Sequence, residues 1–313
     1  MLGRTAGGLF WMSRYLERAE NIARMVEAGF RIAITRSTAP EDEWTSILTT
    51  AAARESYAAI HEKVDAAKVI DFLLRGASNP SSVRCAMESA RTNARLVRTA
   101  LTREVWEAIN VCWMSLRDAL AAPVDQSSLP ELLRLIRQQS AFVRGAIHGT
   151  MLRNDIYNFM RIGAFTERAE STARILDVKY YILLPQVAQV GSSVDNIQWE
   201  TILRSTSADR AFGWLHGGES SPSQIAEFLI LDRRMPRSVQ FCCVKMVENF
   251  TQLENAYGFR PPSVDMAHAL LERLSSLTIQ AIFAEGLHEF IHGFLAANFE
   301  IGQQIEKDYR FYR

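Results

Sequence analysis

Two stretches of the chain are spelled almost alike. Tyr15-Leu-Glu-Arg-Ala-Glu-Asn-Ile-Ala-Arg-Met25 and Phe165-Thr-Glu-Arg-Ala-Glu-Ser-Thr-Ala-Arg-Ile175 lie 150 residues apart, counted from Tyr15 to Phe165. Placed on a helix at about 100° per residue, Met12, Tyr15, Leu16, Ala19, Ile22, Ala23 and Val26 share one apolar face. Glu17, Glu20, Asn21, Arg24 and Arg31 centre on the opposite face, with Arg18 at the flank. Between the two copies the apolar positions drift, as Leu16 against Thr166, Ile22 against Thr172 and Met25 against Ile175. The charges Glu17, Arg18, Glu20 and Arg24 recur unchanged as Glu167, Arg168, Glu170 and Arg174. A freely solvated face drifts faster than a core, so these charges are expected to be constrained by packing: against each other, against a neighbouring helix or against a partner. Buried charges must be paired.

Further echoes follow at offsets of 155 to 156 residues. Trp44-Thr-Ser-Ile-Leu48 resembles Trp199-Glu-Thr-Ile-Leu203, Asp71-Phe-Leu-Leu74 resembles Glu227-Phe-Leu-Ile230, and Asn79-Pro-Ser-Ser-Val83 resembles Met235-Pro-Arg-Ser-Val239. The spacing is too long for a solenoid repeat. It implies one all-α helical bundle over 1–313, with related halves at about 1–150 and 151–313. Strand signals are scarce: there is no Asn-Gly or Asp-Gly turn and no alternating run. The helix boundaries predicted from periodicity, caps and breakers are 4–36, 41–59, 61–75, 81–119, 129–157, 158–185, 195–216, 222–231, 236–257, 263–284 and 286–311, with 129–185 open to being one long helix. Ser128-Leu-Pro-Glu131 and Ser221-Pro-Ser-Gln224 carry the capping-box pattern. Thr38-Ala-Pro40-Glu41 reads as a helix start, and Gly76 and Gly258 as helix ends.

Composition narrows the function classes. Charge is balanced at 35 basic against 35 acidic residues, which gives no electrostatic reason to expect nucleic acid. No segment approaches the ~18 apolar residues of a membrane span, and the start of the chain does not read as a signal peptide. Cys85, Cys112, Cys242 and Cys243 form no CxxC pair and read as reduced core thiols, which fits a cytoplasmic setting. The six tryptophans read as packing anchors, with Trp106 the exception, because it sits between Glu104 and Glu107.

Chemical motifs are few. No phosphate-binding glycine loop is present, and no cofactor is assigned. His288-Glu-Phe-Ile-His292 is formally HExxH, which on a helix puts two imidazoles on one face with Glu289 as a base. It lacks a downstream ligand signature and reads as a chance match, so no metal is assigned and a zinc peptidase is the least favoured alternative. Arg91, Arg95, Arg98 and Arg103 make a basic stripe, expected to be a solvated face paired with Glu88, Glu104 or Glu107, with anion or phosphate binding as the alternative.

The combined pattern resembles the alpha-E domain family of bacterial all-helical proteins. The residues that carry the resemblance begin with Leu2, Arg4, Trp11-Met12, Arg14-Tyr15 and Glu17-Arg-Ala-Glu-Asn21 with Ala23-Arg24. They continue with Arg91-Thr-Asn-Ala-Arg95, Glu104-Val-Trp-Glu107, Asn110, and Gly163 with Glu167-Arg-Ala-Glu170 and Thr172-Ala-Arg174. Phe228-Leu-Ile-Leu-Asp232, Pro236-Arg-Ser-Val239 and Gly286-Leu-His-Glu-Phe290 complete it. Ala164 and Gly7-Gly8 depart from it, standing where relatives often carry polar or basic residues. The resemblance implies a setting beside a circularly permuted ATP-grasp protein, and often a transglutaminase-like peptidase, hence a helper in peptide ligation or tagging. On that reading Glu17, Arg18, Glu20, Arg24, Glu167, Arg168, Glu170 and Arg174 form a charged interface, and Arg91, Asn93, Arg95, Glu104 and Trp106 a second one. The alternative is a hydrolase or transferase with a polar site between the halves, in which Glu17 and Glu167 act as acid or base.

Overall fold

The computed structural model describes residues 1–35, 40–183, 193–217 and 221–312, with the side chains of 35, 40–43, 178–183 and 193–198 outside the description. Among these residues all regular structure is helical: α1 (Gly3–Thr35), α2 (Pro40–Thr50), α3 (Arg54–Ala58), α4 (Ala66–Leu74), α5 (Val83–Leu96), α6 (Arg103–Ala119), α7 (Leu129–Thr150), α8 (Asp155–Leu183), α9 (Ser193–Ser205), α10 (Asp209–His216), α11 (Pro222–Ile230), α12 (Val239–Tyr257), α13 (Pro262–Ser276), α14 (Ile279–Glu285) and α15 (Leu287–Asp308). The all-α expectation is met. No helix among the described residues is long and apolar enough to cross a membrane.

Helices α1 and α8 lie against each other at the centre. Helix α1 also packs on α5 and α7, and α8 on α12 and α15. The outer layer is tied in by α6 against α5 and α7, and by α13 against α12 and α15. Both central helices are buried around almost their whole circumference, including Glu17, Glu20, Arg24, Glu167 and Arg168. A helix buried all round is normally apolar all round. Here the polar side of each must instead find partners inside the protein.

Several expected helices are shorter than periodicity suggests. The stretch 81–119 is divided by a 3₁₀ turn at Arg98–Ala100, after which Thr102 caps α6 by accepting from the Val105 amide. The stretch 129–185 is not continuous: α7 stops at Thr150 and α8 begins at Asp155. The stretches 41–59 and 195–216 are each broken by a left-handed residue, Ala52 (φ 53°) and Ser207 (φ 54°). In both turns a Schellman-type bond closes the helix, from the Ala53 amide to Leu48 O and from the Ala208 amide to Leu203 O, each 2.8 Å. Neither Ala nor Ser advertises such a turn, so periodicity runs straight through both breaks. The stretch 263–284 breaks at Leu277, before Thr278 caps α14.

The capping box at Ser221 and Gln224 is formed. The one expected at Ser128 is not: its hydroxyl donates to Asp125 O instead. Gly258 ends α12 in the left-handed conformation, and Thr38 lies outside the described residues. Trp44 and Trp199 are core residues, whereas Trp11, Trp106 and Trp113 are half-buried. Trp214 is 82 % exposed and is no packing anchor. Cys112, Cys242 and Cys243 are buried, and Cys85 is half-buried. Burial pushes the Cys112 and Cys242 thiols up to about 12, which makes them unreactive as thiolates.

Close approach of the central helices depends on Gly163. A Cβ there would stand 2.3 Å from Phe10 O on α1. The backbone contact leaves nothing flexible to yield, so Gly163→Ala is expected to cost about 1–3 kcal/mol, read as a lowered urea midpoint.

Candidate functional site: a buried arginine–glutamate network

The duplicated charges meet across the α1/α8 contact in a reciprocal pattern. Arg18 grips Glu167 with two bonds, Nε to Oε1 at 2.6 Å and Nη2 to Oε2 at 2.9 Å. In return Arg168 grips Glu17, through Nε to Oε2 at 3.1 Å and through Nη2 to Oε1. Each residue of these two Glu-Arg pairs therefore binds the residue of opposite charge in the other pair, as in an isologous interface. Such two-pronged pairs are the strongest geometry available to arginine and carboxylate.

The second glutamate of each copy is held by its own helix. Arg24 donates to Glu20 at 2.6 and 3.0 Å, and Arg174 to Glu170 at 2.8 and 3.0 Å. The outer nitrogen of each arginine caps a neighbouring helix end. Arg24 Nη1 reaches Ser205 O, the last residue of α9, at 2.7 Å. Arg174 Nη1 reaches Thr50 O, the last residue of α2, at 3.3 Å. Those carbonyls carry the negative end of a helix dipole, so they absorb positive charge that the carboxylates do not.

A further arginine bridges the two glutamates of each copy, and it comes from a different helix each time. Arg144 of α7 spans Glu17 (2.8 Å) and Glu20 (2.7 Å). Arg14 of α1 spans Glu167 (2.8 Å) and Glu170 (3.0 Å). The small residues complement this choice. Ala164 shares a cavity with Arg144, and a Cβ on Gly302 would stand 3.5 Å from Arg14 Nη1. The departure at Ala164 thus leaves room for an arginine from α7. Arg14 and Arg144 lie outside the site expected from sequence. Arg14 belongs only to the family signature there, and nothing local marks Arg144.

The third arginine on Glu20 has no counterpart on Glu170 among the described residues. Arg237, in the turn before α12, donates to Glu20. Ser81, in the turn before α5, lines a cavity of about 150 Å³ beside Glu170, Arg18 and Arg174. Asn21 Oδ1 and Ser171 Oγ, from two buried residues on the wall of that cavity, have no hydrogen-bond partner among the described residues. A smaller cavity of about 30 Å³ lies between Arg144, Arg161, Glu17 and Glu20. No ion pair of Arg161 is found among the described residues; its guanidinium lies 4.3 Å above the Phe165 ring, and burial draws it down to about 10.

Burial alone would raise the glutamate pKa values, but the arginines override it. Arg168 and Arg144 hold Glu17 below the ordinary value, and Arg237, Arg24 and Arg144 hold Glu20 well below it. For Glu167, Arg18 and Arg14 bring the value down to about 2. The same contacts raise Arg18 and Arg168 against the effect of their burial. Burial, with Arg24 and Arg168 close by, lowers Arg237 to about 9, against the pull of Glu20; it stays charged at neutral pH.

The second expected site is on the surface. Arg95 and Glu104 are exposed, and Arg91, Asn93 and Trp106 are half-buried. Arg91 pairs not with an acid but with Asn110 Oδ1 at 2.9 Å, and stacks 4.3 Å from Trp113. Arg98 lies over Trp106, and Arg103 pairs with Glu107 at 2.7 Å.

The HExxH histidines meet a residue that the sequence does not suggest. His288 Nδ1 is 2.7 Å from Asp177 Oδ1 of α8, and His292 Nε2 is 3.7 Å from Oδ2. Glu289 is not one of this group. Its Oε2 is 2.1 Å from where a Gly286 Cβ would stand, at the start of its own helix.

A family model described as Alpha-E, a predicted alpha-helical domain with a conserved ER motif, matches residues 1–310. The chain belongs to the Alpha-E family. No curated protein and no solved structure matches the chain. In this Alpha-E protein both Glu-Arg pairs, Glu17-Arg18 and Glu167-Arg168, are the reciprocal elements of the α1/α8 contact.

Two substitutions separate buried from exposed pairing. Glu17→Gln leaves Arg168 and Arg144 without their full counter-charge in a buried site, so it is expected to cost about 3–5 kcal/mol in denaturant unfolding. Arg103→Ala, which removes an arginine whose side chain is 83 % exposed, is expected to cost less than about 1 kcal/mol. The depressed glutamates also set an acid limit. A carboxyl whose folded pKa is lowered contributes stability above its unfolded value of 4.5 and loses it as pH falls toward its folded value, about 2 for Glu167. Urea midpoints of the wild type should drop across that window, and those of Glu17→Gln/Glu167→Gln should drop less steeply.

Proposed function

We propose that this Alpha-E protein is a non-catalytic helical partner or scaffold of a circularly permuted ATP-grasp ligase, acting in peptide ligation or tagging in the bacterial cytoplasm. The ligase would activate a carboxylate as an acyl phosphate, and a transglutaminase-like peptidase is a further partner of the same system. The observation that carries this reading is the split between the two charged sets. The glutamates of the duplicated motif are each gripped by two or three arginines, and a carboxylate held near pKa 2 is a weak base at neutral pH. Glu17, Glu167 and Glu170 pair across the α1/α8 contact, and Glu20 pairs with arginines of α1, α7 and the turn before α12. The α5–α6 face instead offers exposed Arg95, Arg98, Arg103 and Glu104 around Trp106 and the 69 %-exposed Leu96. Arginine and tryptophan beside exposed apolar surface is a composition suited to protein contacts.

The same proposal includes descent of the two halves from one ancestor. It is supported by the matched pairs Arg18/Arg168 and Arg24/Arg174, and by the matched left-handed turns at Ala52 and Ser207. Such a duplication puts the central contact on a pseudo-twofold axis between α1 and α8.

The test is co-expression with the ATP-grasp protein. The two should co-purify, and ATP-dependent ligation should fall at least about tenfold when this chain is omitted. Arg95→Glu/Glu104→Lys alters only exposed side chains, so it should leave the melting temperature unchanged and abolish co-purification. Failure of the wild-type pair to associate, with ligation unaffected by its omission, overturns the reading.

A further inference from the structure

His288 and His292 stand one turn apart at the start of α15, so both imidazoles leave the same side of the helix. Their ring centroids are 4.2 Å apart. The Asp177 carboxylate, from α8, faces both of them. One donor atom from each of the three residues lies within 4.8 Å of the other two. The carboxylate side chain is 7 % exposed, His288 19 % and His292 56 %, so the group has a buried anionic floor and opens to solvent past His292.

Two imidazoles and one carboxylate are donors suited to zinc and its neighbours among the divalent transition metals. Metal bonds of about 2.0–2.2 Å in a tetrahedral arrangement put donors roughly 3.3–3.5 Å apart. The 3.7 Å separation of His292 Nε2 from Asp177 already suits this, and the 2.7 Å contact of His288 need open by less than about 1 Å. The positive N-terminal end of α15 disfavours a cation, and the Asp177 carboxylate offsets it.

We propose that Asp177, His288 and His292 bind a zinc-class divalent cation, with the remaining coordination position open to solvent beside His292. Bound there, the ion joins the start of α15 to the far end of α8. The site differs from that of an HExxH peptidase. Its third ligand comes from a distant helix rather than from downstream of the motif, and Glu289, whose carboxylate lies close to Gly286, is not one of the grouped donors. The proposal stands apart from the partner role and fails or holds separately from it.

The experiment is titration of the chelator-treated full chain with zinc(II) by calorimetry, and with cobalt(II) by visible absorption. The expected result is one equivalent bound, the intense d–d absorption of four-coordinate cobalt(II), and a rise in melting temperature with zinc. Asp177→Asn and His292→Ala should each weaken binding at least about tenfold and remove the melting shift, while Glu289→Gln should bind like the wild type. His292 is largely exposed, so its alanine variant is expected to keep the fold, which circular dichroism checks. Absence of stoichiometric binding overturns the proposal, as does wild-type affinity in the folded His292→Ala variant.

Discussion

The paired grips of Arg18 on Glu167 and Arg168 on Glu17 fix how the two central helices meet. Three buried charges, Glu17, Glu167 and Arg168, and the half-buried Arg18 are each satisfied only when α1 and α8 stand in one register and at one rotation. A slip of one helical turn would carry each arginine about 5.4 Å from its carboxylate and leave largely buried charges without their partners. An apolar seam tolerates such slips far better, since leucine packs against leucine in several registers. The network is thus less a source of net stability, which buried ion pairs supply poorly, than a device that makes alternative packings of two all-round-buried helices unfavourable.

Charge balance explains why the network extends beyond the duplicated word. Four glutamates, Glu17, Glu20, Glu167 and Glu170, face seven arginines: Arg14, Arg18, Arg24, Arg144, Arg168, Arg174 and Arg237. The excess is carried by carbonyls. Arg24 and Arg174 end on the last residues of α9 and α2, and Arg168 on Pro236 O. The left-handed residues at Ala52 and Ser207 belong to this arrangement. Each turns the chain sharply away just past the helix end, so that the last carbonyl is left for an arginine rather than for the following backbone.

Much of this is legible in the order of the residues. The helical class follows from composition and breakers, and the recurrence of Glu17, Arg18, Glu20 and Arg24 points to constrained charges. The partners are not legible, because pairing across 127 or 217 residues, as in Arg144 with Glu17 and Arg237 with Glu20, leaves no local spacing to read. Periodicity also fails where a turn uses Ala or Ser in place of Gly, as at Ala52 and Ser207. The HExxH motif shows the opposite limit: the two histidines are visible as a pair, and the buried Asp177 that gives them a common focus is not.

The two Glu-Arg motifs reach one electrostatic end by different means. Both glutamate pairs have a bridging arginine, from α7 at one and from α1 at the other. The third arginine on Glu20, by contrast, is supplied once, by Arg237; the corresponding turn offers Ser81, and a cavity stands beside Glu170. The pairs common to both copies are Arg18–Glu167 with Arg168–Glu17, and Arg24–Glu20 with Arg174–Glu170. The Asp177–His288–His292 group lies outside those pairs, so its donors take no part in fixing the register of α1 against α8.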